Sequence, residues 1–126
     1  MKIEFSEEGY AKCPHVRIYD FDNIEARQLR ELFIELAEGE NSWTSLDKID
    51  NVEMIDGCDV KMRVGAWDRG LRNFSGVNKF EWILTEDSWK NMAKIAEAFC
   101  DEDRTEMKEW LEQKKGDIPV LIECEG

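Results

Sequence analysis

Two aspartates, Asp20 and Asp22, stand one residue apart where an apolar strand is predicted to run into a helix. They belong to the segment YDFDN, and the alternation of side chains along a strand would direct both carboxylates to the same side. Paired carboxylates at a strand end can hold Mg²⁺, because this ion prefers oxygen ligands. The pair therefore predicts either a metal site or only the start of a helix.

The surrounding sequence resembles two families of phosphoryl-transfer enzymes. RIYDFDN resembles the first motif of the haloacid dehalogenase-like phosphatases, whose first aspartate is a nucleophile and whose two aspartates help to bind magnesium. IYDFDNI also resembles the opening motif of the NYN branch of PIN-like nucleases. Each resemblance covers about seven residues. It implies an alternative function for this chain, a small Mg²⁺-dependent phosphohydrolase or nuclease that uses Asp20 and Asp22.

The same residues also fit a helix start. Asp22 stands three residues before Glu25, which is the spacing of a capping box, in which the aspartate accepts a backbone N–H bond and the glutamate reaches back. Both enzyme families need parallel βαβ units, whereas residues 51–85 are predicted below to form an antiparallel meander. We therefore expect the pair to cap a helix, and we assign no metal ligand and no catalytic residue.

Few other residues offer chemistry. The single histidine, His15, stands near Cys13, but the sequence contains no pattern typical of a catalytic triad or a zinc site. It also contains no glycine-rich phosphate-binding motif, so we expect no cofactor. The four cysteines are far apart, which favours reduced thiols and leaves two disulfides as the alternative. An enzymatic function is accordingly less favoured than a binding function.

The charge is strongly negative and unevenly distributed. The 126 residues carry a net charge of −12, which argues against a general binder of nucleic acid or of anionic membranes. Residues 31–60 contain nine acidic residues and one basic residue, whereas residues 61–80 contain five basic residues and one acidic residue. Neither an apolar membrane span nor a secretory leader is recognisable, which predicts a cytoplasmic protein.

The basic region coincides with a long predicted loop, residues 65–78. This loop combines aromatic and arginine side chains, which are common at protein interfaces, with three glycines. The alternative is that its aromatic residues fold back onto the core and that its arginines pair with carboxylates of the helices. We predict a partner-binding loop formed by Trp67, Asp68, Arg69, Arg72 and Phe74.

Hydrophobic periodicity predicts three helices, at 23–38, 86–100 and 104–115. The first has an apolar stripe that begins at Ile24 and is followed by Gly39. Strands are predicted at 15–21 and 117–123, and 41–49 is either a further strand or an irregular segment. Within 51–85, antiparallel pairing of Met62 with Trp82 and of Arg63 with Glu81 would give the predicted hairpins one common apolar face.

Together these features predict a single α+β domain over residues 1–126. Its sheet would be mostly antiparallel, with the meander 51–85 joined by the N- and C-terminal strands, and two to three helices would pack on one face. We expect a small acidic non-catalytic interaction domain that inhibits or neutralises a basic protein partner, as immunity proteins and nucleic-acid mimics do. We expect no direct binding to nucleic acid or membranes, and a monomer or weak homodimer.

Overall fold

Two mixed β-sheets and two α-helices form the described part of the computed structural model, which covers residues 1–6, 14–73, 78–100, 107–112 and 118–124. Helix α1 spans Asn23–Ala37 and helix α2 spans Glu86–Glu97. The strands are β1 (Lys2–Ser6), β2 (His15–Tyr19), β3 (Trp43–Ser45), β4 (Glu53–Met54), β5 (Asp59–Val64), β6 (Gly70–Asn73), β7 (Lys79–Leu84), β8 (Met107–Glu112) and β9 (Val120–Cys124).

Each sheet contains both parallel and antiparallel pairs. The first sheet has the order β4-β1-β2-β9-β8, with β1–β4 and β2–β9 parallel and the other two pairs antiparallel. The second sheet has the order β3-β5-β7-β6, in which only β5–β7 is parallel. The predicted α+β class is therefore confirmed, whereas the prediction of a mostly antiparallel sheet is wrong.

The predicted antiparallel meander over 51–85 is wrong for a definable reason. β5 and β7 run parallel with Met62 opposite Trp82, and β4 pairs with β1 of the other sheet. If the direction of β5 were reversed while Met62 stayed opposite Trp82, each side chain would still lie on the face of the sheet that it occupies now. This follows because side chains alternate with a period of two. The hydrophobic pattern therefore predicts the faces of these strands but not their directions. The connection between them, which was predicted to be a loop, contains β6.

The predicted third helix, 104–115, is also wrong. Met107–Glu112 forms strand β8, which pairs antiparallel with β9 and has an irregularity between Trp110 and Glu112. Three apolar residues are too few to distinguish the periodicity of a helix from that of a strand. Pairing with the otherwise open edge of β9 outweighs the local helical preference of this charged segment.

Helix α1 begins with the predicted capping box. The Asp22 carboxylate accepts the Glu25 N–H at 2.8 Å, and the Glu25 carboxylate accepts the Asp22 N–H at 3.1 Å. Asp20 precedes it with φ of 53°, in the left-handed region that aspartate tolerates better than most residues. Asp20 therefore turns the chain out of β2, and its carboxylate pairs with Lys2 at 3.2 Å. Ile24 lies outside the core and is 59% exposed.

An aromatic cluster lies between the helices and the inner face of the second sheet. Phe33 of α1 stacks on Trp89 of α2 with 5.5 Å between ring centroids, and both rings contact Trp82 of β7 edge-on. Trp82 and Trp89 are fully buried. The ring centroids of Phe5 in the first sheet and Phe80 in the second lie 5.1 Å apart, so both sheets contribute to one hydrophobic core. In the described part of the chain, no helix has the length and apolar character needed to cross a bilayer.

Cys58, just before β5, is buried in this core. Desolvation of the thiolate, with a smaller contribution from the charge of Asp59, raises the pKa of the Cys58 thiol to about 12. Cys58, Cys100 and Cys124 form no disulfide with one another, and Cys13 lies outside the described residues. Burial and the raised pKa indicate that Cys58 is a packing residue, because the thiolate and not the thiol is the nucleophilic form.

We expect iodoacetamide at pH 8.5 to modify Cys58 of the folded protein far more slowly than the partly buried Cys100. The reason is that the raised pKa leaves little thiolate, the reactive form, at this pH. The same shift makes folding stability depend on pH. The contribution of Cys58 to the free energy of unfolding is complete below its ordinary pKa of about 8.5 and is lost as the pH rises towards 12. Mass spectrometry of alkylated peptides, with urea-unfolded protein as the control, measures the difference. Equal rates at both cysteines in the folded protein would contradict the assignment.

Candidate protein-binding surface

The outer side of the second sheet is an open face, in contrast to its inner side. Along β5 and β7, Val60, Met62, Phe80 and Trp82 point inwards and are buried, so the alternate residues point outwards. Cross-strand pairing aligns the outward residues in rows that also include β3 and β6. We call this surface the open face; it consists of Trp43, Lys61, Arg63, Arg72, Glu81 and Ile83.

The charge of the open face is positive, although the chain as a whole is acidic. Lys61 and Arg72 are the cross-strand partners of Glu81, one on each side. The Arg63 guanidinium donates to the Glu81 carboxylate at 3.1 Å. Three cations thus surround the Glu81 carboxylate, so these four side chains together carry a net positive charge.

Two tryptophans flank Arg63. Trp43 is the cross-strand partner of Arg63 and is 54% exposed. Trp67, in the loop after β5, is 59% exposed, and the Arg69 guanidinium lies 4.9 Å from its ring centroid. Arg63, Trp67 and Arg69 line one shallow depression of about 280 Å³. The two exposed indole rings therefore lie on the same surface as the basic side chains.

The loop from Gly65 to Arg69, which we call the tryptophan loop, is held at both ends by β7. The Gly65 N–H donates to the Leu84 carbonyl at 3.0 Å, and the Arg69 N–H donates to the Ile83 carbonyl at 2.9 Å. A Cβ on Gly65 would come within 2.6 Å of Ile83 Cγ2, so this approach requires glycine. Trp67 is accordingly presented on a fixed backbone.

Asp68 adds a third anchor between the tryptophan loop and helix α2. Its carboxylate accepts the Thr85 N–H at 2.9 Å and the Ser88 hydroxyl at 2.8 Å. Thr85 is itself the N-cap of α2 and accepts the Ser88 N–H. A carboxylate is also favourable beside a helix N-terminus. In this structure Asp68 positions the loop rather than facing outwards.

We expect Asp68→Ala to lower the free energy of unfolding by about 1–3 kcal/mol, because two charge-assisted hydrogen bonds are lost at a partly buried site. Asp87→Ala is the matched control, since it removes an exposed carboxylate from the first turn of the same helix. The control should cost no more than about 1 kcal/mol. Urea denaturation measures the free energy of unfolding of both variants. Equal decreases would show that Asp68 stabilises the protein only through its charge beside the helix N-terminus.

The structure brings together three of the five predicted partner-binding residues. Trp67, Arg69 and Arg72 lie on or beside the open face, and the Arg72 side chain donates to the Arg69 carbonyl at 3.3 Å. Asp68 turns towards α2, and Phe74 lies outside the described residues. Trp43, which also lies on the open face, was not among the predicted residues. Strand β3 is only three residues long, so no periodic signal revealed its exposure.

The acidic tract 31–60 borders the open face at Trp43. Trp43 belongs to this tract, and the Lys48 ammonium lies 5.4 Å from its ring centroid. Lys48 also lines a groove of about 430 Å³ together with Ile24 and Glu31 of α1. This groove carries charges of both signs, Arg27 and Lys48 against Glu31 and Asp50.

Asp20 and Asp22 do not share one ligand site. Their carboxylates contact Lys2 and the Glu25 N–H, respectively. Helix α1 leads from β2 in the first sheet to β3 in the second, so it does not connect parallel strands of one sheet as βαβ units do. Within the described ranges, no group of three or more His, Cys, Asp or Glu side chains is placed to hold a metal ion.

We expect millimolar Mg²⁺ to leave the amide signals of Asp20 and Asp22 unshifted, because both carboxylates already have contacts that fix the helix start. Nuclear magnetic resonance titration measures this, with the exposed Asp87 as an internal reference for weak non-specific binding. A saturable shift of the amide signals of both aspartates would favour the alternative function, a phosphohydrolase or nuclease.

The fold and the surface together define an α+β protein with two mixed sheets, one of which presents an exposed basic and aromatic face. Comparisons with models of protein families, with curated proteins and with solved structures found no match to this chain.

Proposed function

We propose that this protein is a non-catalytic interaction domain that binds a protein partner through the open face and the tryptophan loop. The observation that carries the proposal is the pair of exposed tryptophans, Trp43 and Trp67, on the same surface and each beside an arginine. Tryptophan and arginine are the residues most enriched among those that dominate binding energy at protein interfaces.

Pre-organisation of the surface supports the proposal. Trp43 projects from a strand, and Trp67 projects from a loop that is bound to β7 and to α2. A partner would therefore lose little free energy in ordering this surface on binding. Large exposed aromatic side chains on a fixed backbone also supply contact area with few rotatable bonds.

The net charge of −12 supports a partner that is basic overall. Long-range attraction would steer such a partner to the acidic tract 31–60, which includes Trp43 of the open face. We propose that the protein inhibits or neutralises this partner in the cytoplasm. A net charge of this sign also disfavours direct contact with nucleic acid and anionic membranes.

Affinity capture from the native host, quantified by mass spectrometry, tests the proposal. The bait is compared with Trp43→Ser/Trp67→Ser, and Ile24→Ser is the matched control because Ile24 is as exposed as Trp67, at 59%, but lies on α1. We expect at least one basic protein to be recovered by the wild type and by Ile24→Ser but not by the double variant. Identical recoveries from all three baits would refute the proposed surface.

A further inference from the structure

We infer that the open face receives an acidic, extended segment of the partner protein. Its carboxylates would contact Arg63, Arg69 and Arg72, and its apolar side chains would pack on the two exposed tryptophans. This inference rests on the proposed function and specifies the chemistry of the segment that is bound.

Charge complementarity argues for a carboxylate-bearing segment. The open face and the tryptophan loop carry four cations, namely Lys61, Arg63, Arg69 and Arg72. They carry two carboxylates, Glu81 on the open face and Asp68, which turns away towards α2. Within the described ranges, no carboxylate forms an ion pair with Arg69 or Arg72, so both guanidinium groups can donate to a partner carboxylate. A guanidinium binds a carboxylate through two parallel hydrogen bonds, which gives direction as well as affinity.

Glu81 shows how a carboxylate is bound on this surface. Its side chain accepts from Arg63 at 3.1 Å in the centre of the open face. A partner carboxylate that approached Arg63 would therefore compete with Glu81. Removing the charge of Glu81 should therefore strengthen binding of the acidic segment, whereas removing the arginine charges should weaken it.

The scale of the surface argues for a segment rather than a folded acidic domain. The depression beside Trp67 has a volume of about 280 Å³, close to that of one or two side chains. A highly acidic domain or a nucleic acid would also be repelled by the net charge of −12. Beyond about 8 Å this repulsion is screened at physiological salt, so a short acidic segment on a basic protein can reach the face.

Selection from a random peptide library of twelve-residue segments tests the inference. Peptides are selected on the wild-type protein at physiological salt and counter-selected on Arg63→Gln/Arg69→Gln/Arg72→Gln. We expect the peptides that survive to be enriched in aspartate and glutamate, with apolar residues between them. Peptides enriched in lysine and arginine, peptides without charge bias, or the absence of any peptide that separates the two proteins would overturn the inference.

Matched single variants then measure the affinity of one selected peptide. Arg69→Gln should weaken binding roughly tenfold to a hundredfold, as expected when a charge-assisted bond is lost. Lys90→Gln on α2 removes the same charge elsewhere and should change affinity less than twofold, while Glu81→Gln should strengthen it several-fold. Equal effects of Arg69→Gln and Lys90→Gln, or weaker binding by Glu81→Gln, would overturn the inference.

Two further arms separate the possible failures. If an oligothymidine of fifteen nucleotides binds the wild type more tightly than the selected peptide does, the face is a nucleic-acid surface and the inference is wrong. If Trp43→Ser/Trp67→Ser retains full affinity for an acidic peptide, the proposed surface itself is wrong. If the tryptophans are required but the selected peptides are not acidic, only the inference about the segment fails.

Discussion

Replacing Trp82 with alanine is expected to lower the free energy of unfolding by about 3–5 kcal/mol, enough to unfold a marginally stable protein of this size. The Trp82 ring is fully buried and contacts both Phe33 and Trp89, at centroid distances of 5.9 and 5.0 Å. Its removal would leave a cavity between the second sheet and both helices. Urea denaturation followed by circular dichroism measures the loss.

Two controls make this result specific. Trp82→Phe keeps most of the ring and removes an indole N–H that has no hydrogen-bond partner among the described residues, so it should cost clearly less than alanine. Trp43→Ala, at an exposed position, should change stability by no more than about 0.5 kcal/mol. If Trp43→Ala were as destabilising as Trp82→Ala, Trp43 would be a core residue and would lose its assignment to the binding surface.

The second large effect concerns binding. Replacing Trp67 with alanine should weaken binding to the captured partner by about 2 kcal/mol or more, roughly thirtyfold, as is typical of a tryptophan that dominates an interface. Stability should remain unchanged, because Trp67 is 59% exposed and its contact is with the Arg69 side chain. Isothermal titration calorimetry with the purified partner, together with thermal denaturation, measures both quantities.

Ile24→Ala is the control for this binding prediction, since it removes an equally exposed apolar side chain from helix α1, outside the open face. It should leave the affinity within twofold of the wild type. Loss of affinity in both variants would indicate contact over a much larger area than the open face. Unchanged affinity in both would place the contact elsewhere.

Local signals in the sequence predicted the features that depend on a few neighbouring residues. The capping box of Asp22 and Glu25 is such a feature, because both partners lie within one helical turn. The inward and outward faces of β5 and β7 were also predictable, since alternation alone decides them. Strand direction was not predictable, because a parallel and an antiparallel pairing about Met62 and Trp82 place the same residues in the core.

The candidate site was predictable from composition but not from pattern. The basic and aromatic segment 65–78 drew attention to Trp67, Arg69 and Arg72, although it contains strand β6 and not only a loop. The inward turn of Asp68 depends on Thr85 and Ser88, which lie 17 and 20 residues further along the chain. Trp43 joins the surface only through its pairing with Arg63 across 20 residues, which no local pattern reports.

Site-specific photo-crosslinking in the native host tests the central claim most directly. Benzoylphenylalanine is placed at position 43, at position 67 or, as the control, at position 24, all of which are exposed to a similar degree. The open face predicts that positions 43 and 67 crosslink to the same basic protein and that position 24 does not. Crosslinks to that protein from position 24 alone, or different proteins from positions 43 and 67, would contradict the claim.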